Sequence, residues 1–337
     1  MEQHETTNDR ILAVGAHPDD VEFLMAGTLT LLYQKGYKIY VATVATGDMG
    51  SMELRSQQIS SKRYKEAVNA AKILDAPYQC LGESDLSIVF DNPTRFKATE
   101  LMRKVVPYIV FTLSPQDYMK DHELTADLMW DACFNASVPN YDTHQSNPAC
   151  PTTSVPYLFY ADPIEGMDRF GQIIQPEFYV DITSVMDTKE KMLSQHDSQR
   201  SWLRAQHGMD QYIINMKEWS ARRGEEVGVK YAEGFRQHKG HPFPDDNILK
   251  KLLAERLIQD TAELSIEISE YEMPEDLSVE IPEGGVSLEG IERQYICVAL
   301  KQTEGNVTKA AEILGISRRQ LQGRMENHNI AREDFRE

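Results

Sequence analysis

Three things are scarce in this sequence, and each scarcity excludes a class of protein. No apolar run approaches the roughly 20 residues that a membrane-spanning helix needs. Basic residues are too few to balance the acidic ones: the net charge of −18 argues against a protein that coats nucleic acid or an anionic membrane with its whole surface. Cysteine occurs only four times, with no Cys-x-x-Cys pair, which argues against a disulfide scaffold. The four are Cys80, Cys133, Cys150 and Cys297.

The first ten residues, MEQHETTNDR, lack the apolar segment of a secretory signal. Together with the scattered cysteines, this predicts a cytoplasmic protein with no membrane span. Hydrophobic residues make up 41% of the 337 positions, so the chain can bury a sizeable core. Its length suits a catalytic domain with an appended module.

Short apolar runs alternate with helical patterns along the first third of the chain. Because strands that alternate with helices form βαβ units, the pattern predicts an α/β, Rossmann-like domain with a mainly parallel sheet and helices on both faces. The apolar runs are residues 11–16, 37–45 and 105–112, and the helical patterns cover 22–35, which ends at Gly36, and 59–74.

A change of charge divides the rest of the chain. Residues 245–292 hold fourteen acidic and three basic side chains, with paired glycines and prolines that are typical of a linker. Residues 301–332 hold six basic and three acidic side chains. We therefore predict a catalytic domain over 1–245, an acidic linker over 246–287 and a small all-α domain over 288–332.

One buried run ends abruptly in ionisable residues. In ILAVGAHPDDVEF, residues 11–23, His17, Asp19 and Asp20 follow the predicted strand directly. Ligands gather at the carboxyl ends of parallel strands, and a histidine nitrogen with a carboxylate oxygen suits Zn²⁺. A neighbouring free carboxylate can take the proton of a water that attacks a carbonyl. The alternative is that an aspartate caps the next helix, with Pro18 as a turn residue.

A second cluster follows the third apolar run. In SPQDYMKDHELTADL, residues 114–128, Asp121 and His122 again come just after a predicted strand. Since helix follows, His122 can point over the same sheet edge as His17. Two His/Asp clusters at two strand ends of one sheet are far more specific than either alone.

Together these clusters resemble the LmbE-like (PIG-L) family of zinc-dependent N-deacetylases, over roughly residues 10–240. The resemblance implies a metal-dependent amidohydrolase that removes an acetyl or acyl group from an N-acetylglucosamine-type amide. It implies one Zn²⁺ per chain, held by His17, Asp20 and His122, with Asp19 as the general base. Asp121 would orient the site and lie, with Arg63, on its substrate side.

Two further stretches extend the resemblance. ATGDMGS, residues 45–51, resembles the family's loop after the second strand. RYKEAVNAAKIL resembles its Arg-x-x-Glu-Ala helix, which makes Arg63 a substrate contact and Glu66 its neighbour.

One position departs from the family pattern. Many members read Tyr-His-Pro-Asp-His where this chain has Met119 between Tyr118 and Lys120, and methionine cannot protonate a leaving amine. The proton donor is then His196, in KMLSQHDSQRSWL, or Asp19 after it has taken the proton of water. Tyr118 could stabilise the oxyanion through its hydroxyl. The alternative for His196 is an ordinary histidine with a satisfied hydrogen bond.

Residues 290–330, GIERQYICVALKQTEGNVTKAAEILGISRRQLQGRMENHNI, predict three helices. Ile291, Tyr295, Ile296, Val298 and Leu300 give the first an apolar side, Asn306 caps the second, and Gly315 allows the turn before the third. The segment resembles the Fis-type helix-turn-helix. Recognition helices place their first residues at base edges. The predicted DNA contacts are Ser317, Arg318, Arg319 and Gln320, with Arg324 for phosphate.

Two classes of function stay open for the whole chain. One is an enzyme acting on an N-acetylated sugar or a related amide, with an accessory DNA-binding tail. The other is a transcription regulator whose α/β domain senses a ligand or metal without turnover; Met119 favours it slightly, whereas Asp19 favours catalysis because a sensor needs no base. A tail that kept its shape without binding DNA would serve dimerisation or docking. A single such unit binds DNA weakly, so we expect a homo-oligomer.

Overall fold

The computed structural model describes residues 8–199, 211–259, 287–303, 305–316, 318–328, 330–331 and 335. The chain divides after Ile266 into two compact units. Within the described ranges, no helix combines the length and the apolar character that crossing a membrane requires.

A mixed sheet of eight strands forms the centre of the first unit. The strands are β1 (Arg10–Gly15), β2 (Lys38–Ala45), β3 (Tyr78–Glu83), β4 (Ile109–Thr112), β5 (Tyr157–Ala161), β6 (Phe178–Asp181), β7 (Ala232–Gln237) and β8 (Leu257–Gln259). Their order is β3-β2-β1-β4-β5-β7-β6-β8. The first five pair in parallel and the other three join by antiparallel pairing. The predicted α/β fold with a mostly parallel sheet is confirmed.

Eight helices are described in the first unit. They are α1 (Asp20–Leu24), α2 (Ala26–Gln34), α3 (Ser56–Ala71), α4 (Asn92–Val105), α5 (Lys120–Asn135), α6 (Met186–Leu193), α7 (Gln211–Val227) and α8 (Ile248–Leu253). The single helix predicted over 22–35 is two helices, because Met25 has φ −139° and ψ 1° and interrupts the helical path. Gly36, with φ +91°, follows the end of α2 as predicted.

The central strands are buried on both faces. Ile11, Leu12 and Val14 of β1 are completely buried, and so is the whole of β4. Strands covered on both sides carry continuous apolar runs instead of alternating ones. Each such side chain contributes about 1.5–3 kcal/mol through burial. The third run was predicted to begin at 105, but Val105 ends α4 and Val106, with φ +50°, turns the chain before β4.

The predicted start of the linker at 246 is wrong. Asn247 caps α8 by accepting a hydrogen bond from the Leu249 amide at 3.0 Å, and Leu249 is fully buried. Strand β8 then pairs with β6 at the edge of the sheet. The linker was predicted from the many acidic residues after 245, and the apolar residues between them, which form α8 and β8, were not taken into account. Residues 260–286 of the predicted linker lie outside the described part of the chain.

Three helices form the second unit: α9 (Leu288–Gln302), α10 (Val307–Ile313) and α11 (Arg318–Asn327). The Asn306 side chain accepts from the amides of Thr308 and Lys309 at 3.2 and 3.3 Å, so it caps α10 as predicted. Gly315 has φ +66° at the turn before α11.

The core of this unit corrects the apolar side predicted for α9. Ile296 and Leu300 are buried with Leu321, but Tyr295 and Val298 are 58% and 47% exposed. Ala299 is buried instead. Helical neighbours are three or four residues apart, so one face cannot bury all the apolar positions of this helix.

Candidate active site

Both predicted His/Asp clusters lie at one edge of the sheet. His17 follows β1 and His122 follows β4, and these two strands are adjacent and parallel. One ligand atom each of His17, Asp20 and His122 lies within 4.8 Å of the others, and all three residues are buried. The structure thus brings together the three residues that the sequence predicted as metal ligands.

The backbone around Asp20 holds its carboxylate in the cluster. Oδ2 of Asp20 accepts hydrogen bonds from the amides of Ala16 and His17 at 2.9 and 2.8 Å. This tight turn requires Gly15, because a Cβ there would lie 2.8 Å from the Cβ of Asp20. The other oxygen, Oδ1, lies 3.5 Å from Nε2 of His122.

A carboxylate orients each histidine from its far nitrogen. Nε2 of His17 lies 3.0 Å from Oδ2 of Asp121, which leaves Nδ1 facing Asp20 at 3.6 Å. Nδ1 of His122 lies 3.1 Å from Oδ1 of Asp117, which leaves Nε2 facing the cluster. Metal-binding histidines characteristically have such a carboxylate partner. Sequence reasoning missed Asp117, although it stands five residues before His122.

The electrostatics of the cluster favour positive charge. Burial alone would lower the pKa of His17, but hydrogen bonds to Asp121 and Asp20 raise it to about 10. The pKa of His122 is also raised, since the Asp20 charge and the Asp117 hydrogen bond outweigh burial. The histidine charges hold the pKa of the Asp20 carboxyl well below its usual range against the effect of burial.

This donor set fits a zinc ion. Two imidazole nitrogens and one carboxylate oxygen make the three protein ligands that a catalytic zinc usually has. Buried carboxylates without a compensating cation are unfavourable, and Asp20, Asp117 and Asp121 are all buried in contact with the two histidines. The donors and their partners therefore meet the chemical requirements of such a centre.

Asp19 lies beside the donor set in an unusual backbone conformation. Its φ of +115° is left-handed, which costs a non-glycine residue about 1–3 kcal/mol. Oδ2 lies 3.2 Å from Nη2 of Arg63, and the hydroxyl of Tyr212 donates a hydrogen bond to the carboxylate. Burial raises the pKa of Asp19, and Arg63 opposes this rise.

Arg63 is buried in contact with Asp19 and Pro18. It is only 4% exposed, and its Nη2 donates to the Pro18 carbonyl at 2.5 Å. The 45–51 loop wraps closely around it: a Cβ on Gly47 would lie 2.6 Å from the Arg63 side chain, and one on Gly50 2.5 Å. Asp85 fixes this loop by accepting from the Gly47 amide at 2.7 Å. The predicted substrate contact is thus corrected to a contact with the 18–19 segment.

The other predicted site residues, Tyr118, Asp121 and His196, differ from one another in exposure and in the residues that they contact. Tyr118 is 55% exposed, and its ring stands edge-on to the His122 ring at 5.6 Å. Asp121 is buried and contacts Nε2 of His17 and the Leu86 amide, so it orients the His17 ring.

His196 is completely buried, and its Nε2 faces Oε2 of Glu22 at 3.4 Å. The electrostatics of His196 also include interactions with Asp19 and Arg63. Its assignment as the proton donor stays a prediction.

Comparison with known proteins agrees with both units. Residues 12–133 match the family model of PIG-L, GlcNAc-PI de-N-acetylase, and residues 287–328 match that of the bacterial regulatory proteins of the Fis family. The first unit is thus similar to the PIG-L family over residues 12–133, and the second to the Fis family over residues 287–328.

The relatives of the first unit include two kinds of enzyme. A 4-oxalmesaconate hydratase of Pseudomonas putida is 27% identical over 192 residues, which cover 55% of this chain and 71% of the hydratase. A diacetylchitobiose deacetylase of Thermococcus kodakarensis is 24% identical over 248 residues, which cover 69% of this chain and 85% of that deacetylase. The solved N,N'-diacetylchitobiose deacetylase of Pyrococcus horikoshii shares the fold, with a TM-score of 0.59 and 23% identity over 73% of this chain and 92% of that one.

In the second unit, Arg318, Arg319 and Gln320 form the first turn of α11, as predicted. Ser317 and the side chains of these three residues lie outside what the structure describes. Arg324, which was predicted to contact phosphate, pairs with Glu292 on α9. Nε2 of His328 lies 3.1 Å from the second oxygen of the same carboxylate.

Proposed function

We propose that this protein is a zinc-dependent hydrolase that removes an acetyl or acyl group from an N-acetylglucosamine-type amide. The observation that carries the proposal is the position of Asp19. Its carboxylate lies beside the His17, Asp20 and His122 donors and is held there in left-handed backbone by Arg63 and Tyr212. Binding a metal alone requires no such strained neighbour, whereas activating a water requires a base.

Each residue then has a definite task. His17, Asp20 and His122 would hold the ion, with Asp121 and Asp117 fixing the two imidazole rings. When bound, Zn²⁺ polarises a carbonyl oxygen and makes water more acidic. Asp19 takes the proton of the attacking water.

The same carboxyl group delivers that proton to the leaving amine. Met119 has no proton to give, and His196 is completely buried with its Nε2 facing Glu22. We propose that Tyr118, half-exposed beside His122, donates a hydrogen bond from its hydroxyl to the developing oxyanion. Asp19 therefore acts as base and then as acid.

The substrate class is supported by the relatives. The PIG-L family model describes a GlcNAc-PI de-N-acetylase, and one relative is a diacetylchitobiose deacetylase. Both names contain an N-acetylated amino sugar. We infer that this chain acts on an amide of the same kind.

A second candidate is the addition of water to a carbon–carbon double bond. The similarity to 4-oxalmesaconate hydratase favours it, at 27% identity over 192 residues. A hydration also needs a base for water, but it needs no protonated leaving amine, so the methionine at position 119 would matter less.

The test measures metal content and product on one preparation. We expect zinc near one per chain and metal-dependent release of acetate from a panel of N-acetylglucosamine derivatives. Asp19→Asn should abolish release and retain zinc, whereas Asp187→Asn, at an exposed position on α6, should change neither.

Three outcomes separate the candidates. Water addition to an unsaturated carboxylate, without acetate release, would establish the hydratase. Zinc binding without turnover of either kind would identify a regulator whose PIG-L domain is a sensor. A protein that binds no zinc would overturn the assignment of the donor set.

For the tail, we propose that the Fis-type domain binds DNA as part of a homo-oligomer. Arg318→Ala combined with Arg319→Ala should weaken binding in fluorescence anisotropy and flatten its salt dependence. Lys301→Ala, at the exposed end of α9, is the control. If the double variant binds DNA like the wild type, the domain serves docking or dimerisation instead.

A further inference from the structure

Residues 196–199, His-Asp-Ser-Gln, contact three separate elements of the proposed active site. Nε2 of His196 faces Glu22 on α1 at 3.4 Å. The amide and hydroxyl of Ser198 both donate to the Glu66 carboxylate on α3, at 2.9 and 2.5 Å. Each of these partners is itself buried.

The third contact reaches the loop that covers Arg63. Nε2 of Gln199 donates to the Gly50 carbonyl at 3.1 Å. A Cβ on Gly50 would lie 2.5 Å from Nη1 of Arg63 and 2.8 Å from the Gln199 amide nitrogen. Gly50 is therefore packed between the two side chains, and Gln199 limits how far the loop can move away from Arg63.

These three elements are the ones that hold Asp19. Helix α1 begins directly after Asp19, so Glu22 lies within the turn that the base initiates. Glu66 lies one turn after Arg63 on α3, and Arg63 contacts both Asp19 and the Pro18 carbonyl. A displacement of α1, α3 or the 45–51 loop would change the direction of the Asp19 carboxylate.

Side-chain direction within the segment alternates sharply. His196 and Ser198 are buried, whereas Asp197 between them is 58% exposed at its side chain and lies 3.7 Å from Lys62. Burial of Ser198 is compensated by its two hydrogen bonds to Glu66. His196 makes only the 3.4 Å ion-pair contact with Glu22, and neither of its ring nitrogens has a hydrogen-bond partner among the described residues. The inward positions are built into the site, and the outward one supplies a matched control.

We propose that the 196–199 segment positions the general base. It fixes α1 through Glu22, α3 through Glu66 and the 45–51 loop through Gly50, and so sets the direction of the Asp19 carboxylate. His196, Ser198 and Gln199 are positioning residues that act without touching the substrate. This inference rests on the proposed function for its kinetic test, and on Asp19 alone for its structural test.

The kinetic test is Ser198→Ala. A misplacement of about 1 Å costs about 100-fold in rate, so we expect kcat to fall by about 10- to 100-fold. KM should stay within about twofold and zinc per chain should be unchanged. Ser198→Thr keeps the hydroxyl and should recover most of the rate, and Asp197→Asn should behave like the wild type. Glu66→Gln combined with Ser198→Ala should lose little more than either change alone.

Crystal structures of Ser198→Ala and Asp197→Asn provide the second readout. We expect the Asp19 carboxylate to be displaced in the first and unchanged in the second. A wild type that turns over no substrate would remove the proposed function, and these two structures would still decide the positioning. Should Ser198→Ala fail to fold, Gln199→Ala removes only the contact to Gly50 and takes its place.

Two results would overturn the inference. One is an unchanged kcat together with an unchanged Asp19 carboxylate in Ser198→Ala. The other is a raised KM at constant kcat, which would mean that the segment contacts the substrate.

Discussion

Two buried groups of charged residues in the first unit are built on opposite principles. The carboxylate of Glu233, on β7, takes four hydrogen bonds. Oε1 accepts from the Gly27 amide at 2.8 Å and from Lys189 Nζ at 2.6 Å, and Oε2 accepts from the amide and hydroxyl of Thr28 at 2.7 and 2.6 Å. Glu233 thereby caps the start of α2, which has no cap from its own chain segment.

The donors of the candidate active site face one another across wider gaps. His17 Nδ1 and His122 Nε2 lie 3.6 and 3.5 Å from the Asp20 oxygens. Their other nitrogens are taken up by carboxylates at hydrogen-bond distance. The carboxylate of Glu233, which has a structural role, has all its hydrogen-bond partners within 2.8 Å. The donor atoms of a binding site instead converge on a common point and leave room for a ligand between them. The comparison predicts different responses to mutation.

The largest effect on stability is expected at the saturated pair. Lys189→Met leaves Glu233 buried without its cation, and breaking a buried ion pair by removing one partner costs about 3–5 kcal/mol. Urea unfolding measures this loss. Lys191→Met, at an exposed position of the same helix, should stay within about 0.5 kcal/mol of the wild type. Equal losses in the two variants would show that the pair contributes nothing specific.

A smaller effect is expected from a methyl group beside Arg63. Gly47 and Gly171 both have φ +74°, but only Gly47 has neighbours that a Cβ would meet. Left-handed backbone costs alanine about 1–2 kcal/mol at either site. Overpacking against Arg63 should add about 1–3 kcal/mol in Gly47→Ala and lower kcat, because Arg63 holds Asp19.

Gly171→Ala measures the backbone cost alone and should keep the wild-type kcat. The two free energies of unfolding are compared directly. Similar values would mean that the 45–51 loop yields easily, and the support of Asp19 by Arg63 would then be weaker than the geometry implies.

The sequence predicted those strands that are fully buried and those contacts that join residues close together in the chain. Strands β1 and β2 are covered on both faces, so their apolar runs were visible. Strand β3 was missed because it lies at the sheet edge, where only Leu81 of its six residues is buried. The capping contact of Glu233 could not be predicted for another reason: its partner Gly27 is 206 residues away in the sequence.

The same distinction divides the candidate active site. His17, Asp20 and His122 were predicted because they stand in His/Asp clusters at strand ends and because the family resemblance assigns them as ligands. The contacts of Asp85 with the 45–51 loop and of Tyr212 with Asp19 were not predicted, since an aspartate or tyrosine in a loop or helix start carries no sign of a distant contact. Arg63 was found but given the wrong contact, because only the folded chain shows that the 45–51 loop covers it.

Removing the Asp117 carboxylate that contacts His122 should weaken metal binding, although all three proposed metal ligands remain in place. Asp117→Asn keeps the shape and removes the charge that fixes the ring at 3.1 Å. Loss of such a partner typically costs 10- to 100-fold in metal affinity, so we expect zinc affinity to fall by about that factor in a chelator competition. Asp142→Asn, at a side chain that is 69% exposed, should leave affinity unchanged. Unaltered affinity in Asp117→Asn would mean that the donor atoms alone orient His122.

The smallest effect is expected at Asp181, a carboxylate that is satisfied like Glu233 but only partly buried. Burial raises the pKa of Asp181, but hydrogen bonds from Thr183 and Arg256 outweigh burial and lower this pKa below its usual value. The folded chain therefore binds this proton less tightly than the unfolded chain does. The resulting stability is present above the unfolded pKa of roughly 3.9 and is lost as pH falls through the lower folded value.

Because solvent screens a half-exposed pair, the contribution should be at most about 1 kcal/mol at pH 7. Asp181→Asn should lose that amount in urea unfolding at pH 7, and the difference from the wild type should shrink as the pH is lowered toward 3. A loss as large as that of Lys189→Met would mean that the number of hydrogen bonds, and not burial, sets the energy of a structural carboxylate in this fold.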